Sequence, residues 1–341
     1  QHNIKNSASK TFQLVYQLTS GHKFIGMTGT ELNNPIDAYA YIKMKTPTIY
    51  SNKAHFERVH VATYDFFEQP EEWTGLDLMN ANLYLQSFKR TKAQISRDKP
   101  NIYPVTYHLH PEHKALYDQV IEEQLVELEE QGKLIDASTP QLLYNISQQL
   151  VMNWAHFSGR PDVRPAAFDV LDNIVEEIDL GEKGSSKLII WTWFKLSTRL
   201  IRDYMQEVVA KRLKIDGKRG VAVCFSESNS VKEIERFMKD PQCLVLVGQP
   251  GSAGAGLNPQ YICWEMIFLE TPTIPIPFTQ AAGRIDRLGQ KYTPNIRVGQ
   301  AIDTCQLSLW NKLMKKDELV VKVEGGRAAL REMLLHGAVV R

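Results

Sequence analysis

From about residue 185 onward, short apolar runs alternate with segments of helical spacing, and no other feature of the chain limits its fold so strongly. The runs are KLIIWTWF (187–194), GVAVCF (220–225), CLVLVG (243–248), WEMIFLE (264–270) and NIRVGQAI (295–302). Between them lie KLSTRLIRDYMQEVVAKRL, SVKEIERFMKD and PFTQAAGRIDRL, each with the spacing of a helix. A strand that is apolar along its whole length needs cover on both faces. Strand–helix repetition at this pitch therefore predicts an α/β fold, a parallel sheet covered by helices. Ligands of such sheets gather at the carboxyl ends of the strands, so the connections after 194, 248 and 270 are the first places to search.

The stretch from roughly 35 to 180 reads differently, as mostly helical. EHKALYDQVIEEQLVELEEQGKLI places Leu116, Val120, Ile121, Leu125 and Leu128 on one stripe, with acids on the other face. QLLYNISQQLVMNWAHF continues in the same style, and SGRPDVRP (158–165) reads as a joint between helical pieces. At the amino end, SKTFQLVYQLTSG predicts a helix and KFIGM a strand, too little to make a domain of its own.

Composition narrows function more than fold. With 341 residues, 43% of them hydrophobic, the chain has room for two domains or more. A formal net charge of +1 gives no global field, so any nucleic-acid contact must come from local patches. Cys224, Cys243, Cys263 and Cys305 form no CxxC pair and read as reduced core residues of an intracellular protein, cytoplasmic or nuclear. No apolar run approaches the ~18 residues of a membrane span, and QHNIKNSASK is too polar for a signal peptide. A membrane is therefore not an expected partner.

Three short motifs stand in a fixed order: GMTGTELNN (26–34), VGQPGSAGAGLN (247–258) and FTQAAGRIDRLGQK (278–291). Each alone has an ordinary structural reading, as an N-cap, a tight turn and a solvated helix face. Their conjunction carries the weight. Arg284 and Arg287 lie one helical turn apart behind Ala281, Ala282 and Gly283, a platform with almost no bulk. Asp286 is one acid against two cations. The planar fork of arginine matches phosphate oxygens in pairs, which lysine does not. The basic cluster KRLKIDGKR (211–219) reads first as a solvated helix end, and Lys89, Arg90 and Lys92 are no stronger as signals. Trp191 and Trp193 alternate along one strand, as core and rim would.

The ordered set resembles the motifs of superfamily 2 helicases, and within them the SWI/SNF-type (Snf family) DNA-translocating ATPases. The last motif of that family reads Q-x-x-x-R-x-H-R-x-G-Q, and this chain has Gln280, Arg284, Arg287, Gly289 and Gln290 there, with Asp286 for the usual His. The glycine-rich motif is matched by Ser252, Gly254, Gly256, Leu257 and Asn258. T-G-T-P-x-x-N is matched by Thr28, Gly29, Thr30 and Asn34, with Glu31 in place of proline. SFKRTKAQIS (87–96) is similar to the basic RRTK segment, and VTYHLHPEHKALYDQ to the family's strand-then-Q..LY segment, with His113 for Gln. The chain opens with Gln1, His2, Asn3, Ile4, Lys5 and Asn6, similar to a D-E-x-H-x-I-K-N motif entered two residues late.

The resemblance implies a RecA-like second lobe at 166–325, preceded by the remnant of a first lobe at 1–34 and a helical protrusion and linker at 35–165, with a tail at 326–341. It implies ATP held between two lobes with Mg²⁺, both bound mainly by a first lobe whose P-loop and Asp-Glu pair this sequence does not contain. The expectation is a piece of a longer protein, or a split enzyme whose other polypeptide supplies lobe 1. Arg287 is the implied arginine finger, with Arg284, Gln280 and His2 as further catalytic residues. Gly254, Gly256 and Asp286 would lie at the nucleotide. Ser252, Asn258, Thr28, Thr30, Lys89 and Arg90 would contact double-stranded DNA. Strand separation, or binding without catalysis, are the alternative functions.

Overall fold

The computed structural model describes residues 4–27, 32, 34–64, 68–87, 99–130, 139–158, 164–253, 257–270, 275–307 and 310. These fall into two compact units, one drawn from residues 1–97 and 274–276, the other from 98–273 and 277–311.

In the first unit, α1 (Lys10–Thr19) starts where the Ser9 hydroxyl accepts from the Phe12 N–H at 3.1 Å. That bond satisfies one of the orphan donors of the first turn. Helices α2 (Ala38–Lys45) and α3 (Lys53–His60), an antiparallel pair of strands β1 (Val61–Tyr64) and β2 (Pro70–Trp73), and α4 (Leu76–Tyr84) follow. Tyr39, Ile42, Tyr50, Phe56, Met79 and Leu83 form their core. His60 is buried there, hydrogen-bonded to Tyr50 Oη at 2.6 Å, and burial lowers its pKa. The strand expected at KFIGM does not form. Residues 23–27 have no strand partner among the described residues, and Ile25 is 91% exposed. A single extended segment has no ladder to join, so its apolar sequence alone cannot make it a strand.

The second unit carries the sheet. It begins with β3 (Asn101–Tyr107), then α5 (Pro111–Glu130), α6 (Thr139–Met152), α7 (Trp154–Ser158) and α8 (Ala167–Glu177). The alternating part follows: β4 (Lys187–Trp191), α9 (Lys195–Leu213), the single turn α10 (Gly217–Gly220), β5 (Val221–Cys224), α11 (Ser230–Lys239), β6 (Val245–Gly248), β7 (Cys263–Phe268), α12 (Pro275–Ala282) and β8 (Asn295–Ala301). All pairings are parallel, in the order β3-β8-β7-β4-β6-β5. Each of the five expected strands is present, and the central ones are buried along nearly their whole length. The helices on both faces cover them, with Leu171, Ile174, Ile201, Met205 and Val209 among the packed side chains.

The stretch 35–180 is mostly helical in its described residues, but it also holds the β1–β2 pair and strand β3. Strand β3 pairs with β8 in register from Asn101↔Asn295 to Tyr107↔Ala301. Its pattern is masked by Pro104 and by partial exposure, both of which an edge position tolerates. The opposite edge, β5, is closed by side chains of α11. The Val223 N–H donates to Glu233 at 3.0 Å, and Arg236 donates to the Val221 carbonyl at 2.8 Å. Such plugging keeps an edge from pairing with another chain.

Candidate functional site

The arginine pair lies just beyond a helix, not within one. Helix α12 ends at Ala282, and the backbone continues in tight turns, with the Arg284 N–H bonded to the Ala281 carbonyl at 3.0 Å and the Asp286 N–H to Ala282 at 3.3 Å. Proline at its start and Ala281–Ala282–Gly283 at its end leave this short helix slim. Cations at a helix carboxyl end are favoured by its unsatisfied carbonyls. Arg287 uses them: its Nε donates to the Gly283 carbonyl at 3.0 Å.

The same guanidinium reaches the glycine-rich connection, where its Nη1 donates to Asn258 Oδ1. Motifs 29 residues apart in the chain thus meet side chain to side chain. Asn258 is exposed, and the buried Leu257 beside it anchors that end of the connection. At the other end Ala253 is buried, the Ser252 N–H bonds to the Gln249 carbonyl at 3.0 Å, and Gln249 Nε2 donates to the Trp193 carbonyl at 2.8 Å. The connection therefore runs from the tip of β6 to the beginning of β7, fastened at both ends.

Gly289 and Gln290 fix the turn from the other side. Gly289 has φ +93°, and a Cβ there would stand 2.8 Å from Tyr261 Oη, so only glycine fits. Gln290 Nε2 donates to the carbonyls of Cys263 and Ile285, each at 3.0 Å, while its Oε1 accepts from the Lys291 and Tyr292 N–H groups. One amide thereby holds the arginine turn against the first residue of β7. The arginines sit at this amino-terminal side of β7, away from the strand tips where the topology first directs a search.

Electrostatics separate the two cations. Arg284 is half-buried, and no carboxylate among the described residues pairs with it. Burial, and then the charge of Arg287, lower its pKa. Asp286, two positions on, is buried and has an interaction of its own. Gln280 is half-buried on α12, one turn before Arg284. Two guanidinium groups, one partly desolvated and neither paired with a carboxylate among the described residues, have the chemistry to hold an anion with several oxygens. Of the remaining expected site residues, His2, Thr28, Thr30, Lys89, Arg90, Gly254 and Gly256 lie outside the described residues. Trp191 is buried and Trp193 half-buried, as core and rim. Among the described residues no group of His, Cys, Asp or Glu could hold a metal ion, and no helix is long and apolar enough to cross a membrane.

Sequence reading missed Glu270. It ends an apolar run and gave only the signal of a lone acid after a strand. In the structure it is 1% exposed and accepts from the N–H groups of Trp193 and Phe194 and from the Ser197 hydroxyl. Burial raises its pKa to about 7 against the opposing pull of those donors. It caps α9, whose own N-cap, Phe194, has no side chain able to do so.

No protein-family model matches the chain. It is similar to the uncharacterized ATP-dependent helicase YqhH of Bacillus subtilis (strain 168), with 21% identity over 360 residues, covering 95% of this chain and 58% of the relative. The chain thus spans a little over half the length of that curated relative. Among solved structures, it is similar to the SWI2/SNF2 ATPase core of Sulfolobus solfataricus in complex with double-stranded DNA, at 22% identity and TM-score 0.49, covering 97% of this chain and 69% of that one. It is also similar to the C-terminal part of the Fun30 ATPase domain, at 12% identity and TM-score 0.48, covering 70% of this chain and 99% of that one. Along almost its whole length the chain is thus similar, at 21% identity, to one curated ATP-dependent helicase.

Proposed function

We propose that the second unit serves as the second lobe of an ATP-dependent, nucleic-acid-stimulated translocase on double-stranded DNA, with Arg287 as its arginine finger and Arg284 as partner. The observation that carries this reading is the uncompensated charge at Arg284, half-buried beside Arg287 with no acid to pair with it among the described residues. A triphosphate presented from a neighbouring lobe would supply the missing negative charge. Guanidinium groups aimed at the γ-phosphate stabilise charge on its equatorial oxygens, an effect worth ~10³–10⁵ in rate.

In this reading Mg²⁺ and the attacking water belong to the other lobe. The residues of this chain bind, orient and shield. Asn258 holds Arg287 in place and, with Ser252, offers polar groups to a DNA phosphate. The hydrogen bond between Asn258 and Arg287 then links the nucleic-acid side of the lobe to the nucleotide side. Exposed apolar side chains in the first unit, Leu14 at 58%, Leu18 at 68% and Met27 at 84%, support a further lobe packing there.

The decisive measurement is Arg287→Ala in a protein that carries both lobes. DNA-stimulated hydrolysis is expected to vanish while DNA affinity stays nearly intact. Unchanged hydrolysis removes the finger assignment and leaves a binding module. A displaced-strand assay on the same protein separates translocation from unwinding, with no strand release expected.

A further inference from the structure

Open parallel sheets leave a crevice at the carboxyl ends of their strands where the chain reverses its direction of progress. Here that point flanks β4, with β6 on one side and β7 on the other. A side chain occupies it. Glu270 joins the connection after β7 to the Trp193 and Phe194 N–H groups after β4, the latter at 3.0 Å. Its other oxygen accepts from the Ser197 hydroxyl, and Ser197 Oγ accepts in turn from Asn153 Nδ2 at 2.9 Å. Asn153 stands between α6 and α7, where its carbonyl accepts from the His156 N–H at 3.0 Å. Ser197 and Asn153 are 0% and 2% exposed. The remaining side-chain atom of the series, Asn153 Oδ1, is buried with no hydrogen-bond partner.

We propose that Asn153, Ser197 and Glu270 form a hydrogen-bond relay whose direction is set by one proton on Glu270, and that through it Glu270 positions the connections after β4 and β7. With Glu270 ionised, donation runs from Asn153 to Ser197 to the carboxylate, as observed. A proton taken from solvent turns that carboxylate oxygen into a donor, and Ser197 Oγ is the acceptor within reach. Ser197 must then donate elsewhere. A half-turn of the Asn153 amide brings Oδ1 to it, so every donor in the series reverses and the number of bonds is kept. The atom left without a partner changes from the amide oxygen to the amide nitrogen. The second carboxyl oxygen keeps the two backbone N–H groups in both states.

The surroundings favour such a reversal. From β3 the group is faced by Tyr107, whose hydroxyl burial holds protonated, and Cys305 beyond β8 faces Tyr107 in turn. Helix α9 presents Ser197 and Thr198, which carry no charge. No cation among the described residues offsets the carboxylate, and burial brings its pKa to about 7, so both directions are populated near neutral pH. This inference does not depend on the nucleotide reading above.

The test is NMR on the full chain across pH. The side-chain carboxyl carbon of Glu270 is expected to titrate with a midpoint of about 7, and the side-chain amide of Asn153 to shift with the same midpoint. In Glu270→Gln the Asn153 shift should disappear. Ser197→Ala cuts the relay but leaves the backbone cap. There the carboxyl should still titrate, at a higher midpoint because a donor to the charged form is lost, while Asn153 falls silent. A carboxyl that titrates near 4.5 overturns the relay, as does a wild-type Asn153 amide that ignores the titration. If Glu270→Gln fails to fold, the wild type and Ser197→Ala still decide.

Discussion

Two arginines of the same unit meet burial in opposite ways. Arg297 on β8 is 1% exposed, and burial works to lower its pKa, yet Glu265 and then Glu177 outweigh that and raise it. Its Nη2 donates to Glu177 at 2.7 Å, its Nη1 to the buried Glu265, and its guanidinium lies 5.5 Å from the Tyr103 ring. Arg284 is less buried and has no such company among the described residues, and burial, then the charge of Arg287, lower its pKa. The first arginine is consumed by the fold. A desolvated cation without a counter-charge persists only when its surroundings over-determine it, and such groups cluster at functional sites.

The largest test of that contrast is chemical. Arg287→Ala should lower DNA-stimulated ATP hydrolysis by about 10³–10⁵, or roughly 4–7 kcal/mol of barrier, with little change in unfolding midpoint. Stopped turnover together with lost folding would instead place Arg287 with Arg297, as structure. Next comes Arg297→Met, which strands the carboxylate of Glu265 in the core. Denaturant unfolding should report a loss of about 3–5 kcal/mol, and a neutral result would erase the distinction.

Glu270 gives the third test, through pH. Its folded pKa of about 7 lies above the ordinary 4.5, so the native state holds this proton more tightly than the unfolded chain does. The stability it lends is full below 4.5 and is lost as pH rises through about 7, roughly 3 kcal/mol at ~1.4 kcal/mol per tenfold change in proton affinity. Buried His60 and His113 act in the opposite sense, because burial lowers their pKa and stability falls as pH drops through 6.5. Wild type minus Glu270→Gln isolates the carboxyl. A difference that stays flat between pH 4.5 and 7 would show that Glu270 does not titrate there. The smallest effect belongs to Arg284→Met, which removes a like-charge neighbour and a partly desolvated cation. It should raise stability by up to about 1 kcal/mol while impairing hydrolysis, and a clear loss of stability would reveal a hidden partner.

Much of the sheet was legible because β4 to β6 are apolar along nearly their whole length, β7 and β8 are largely so, and segments of helical spacing separate most of them. Strand β3 escaped because an edge position admits Pro104 and partial exposure, which break the pattern. The arginine motif was legible as a set of letters, but its place was not. Reading Arg284 and Arg287 as one helical turn missed the end of α12 at Ala282. It also missed that Gln290 and Gly289 are the struts of the turn, since their partners, Cys263 and Tyr261, lie more than twenty residues away in sequence.

By itself, the sequence determined the fold class, the order of the motifs and the pairing of two guanidinium groups, because strand periodicity and motif spacing are local and survive without coordinates. Only the tertiary structure decided which cations are neutralised, that Asn258 meets Arg287, and that Glu270 sits in the crevice beside β4. Those outcomes depend on distances between residues remote in the chain, and desolvation and charge pairing act through distance, not through sequence separation.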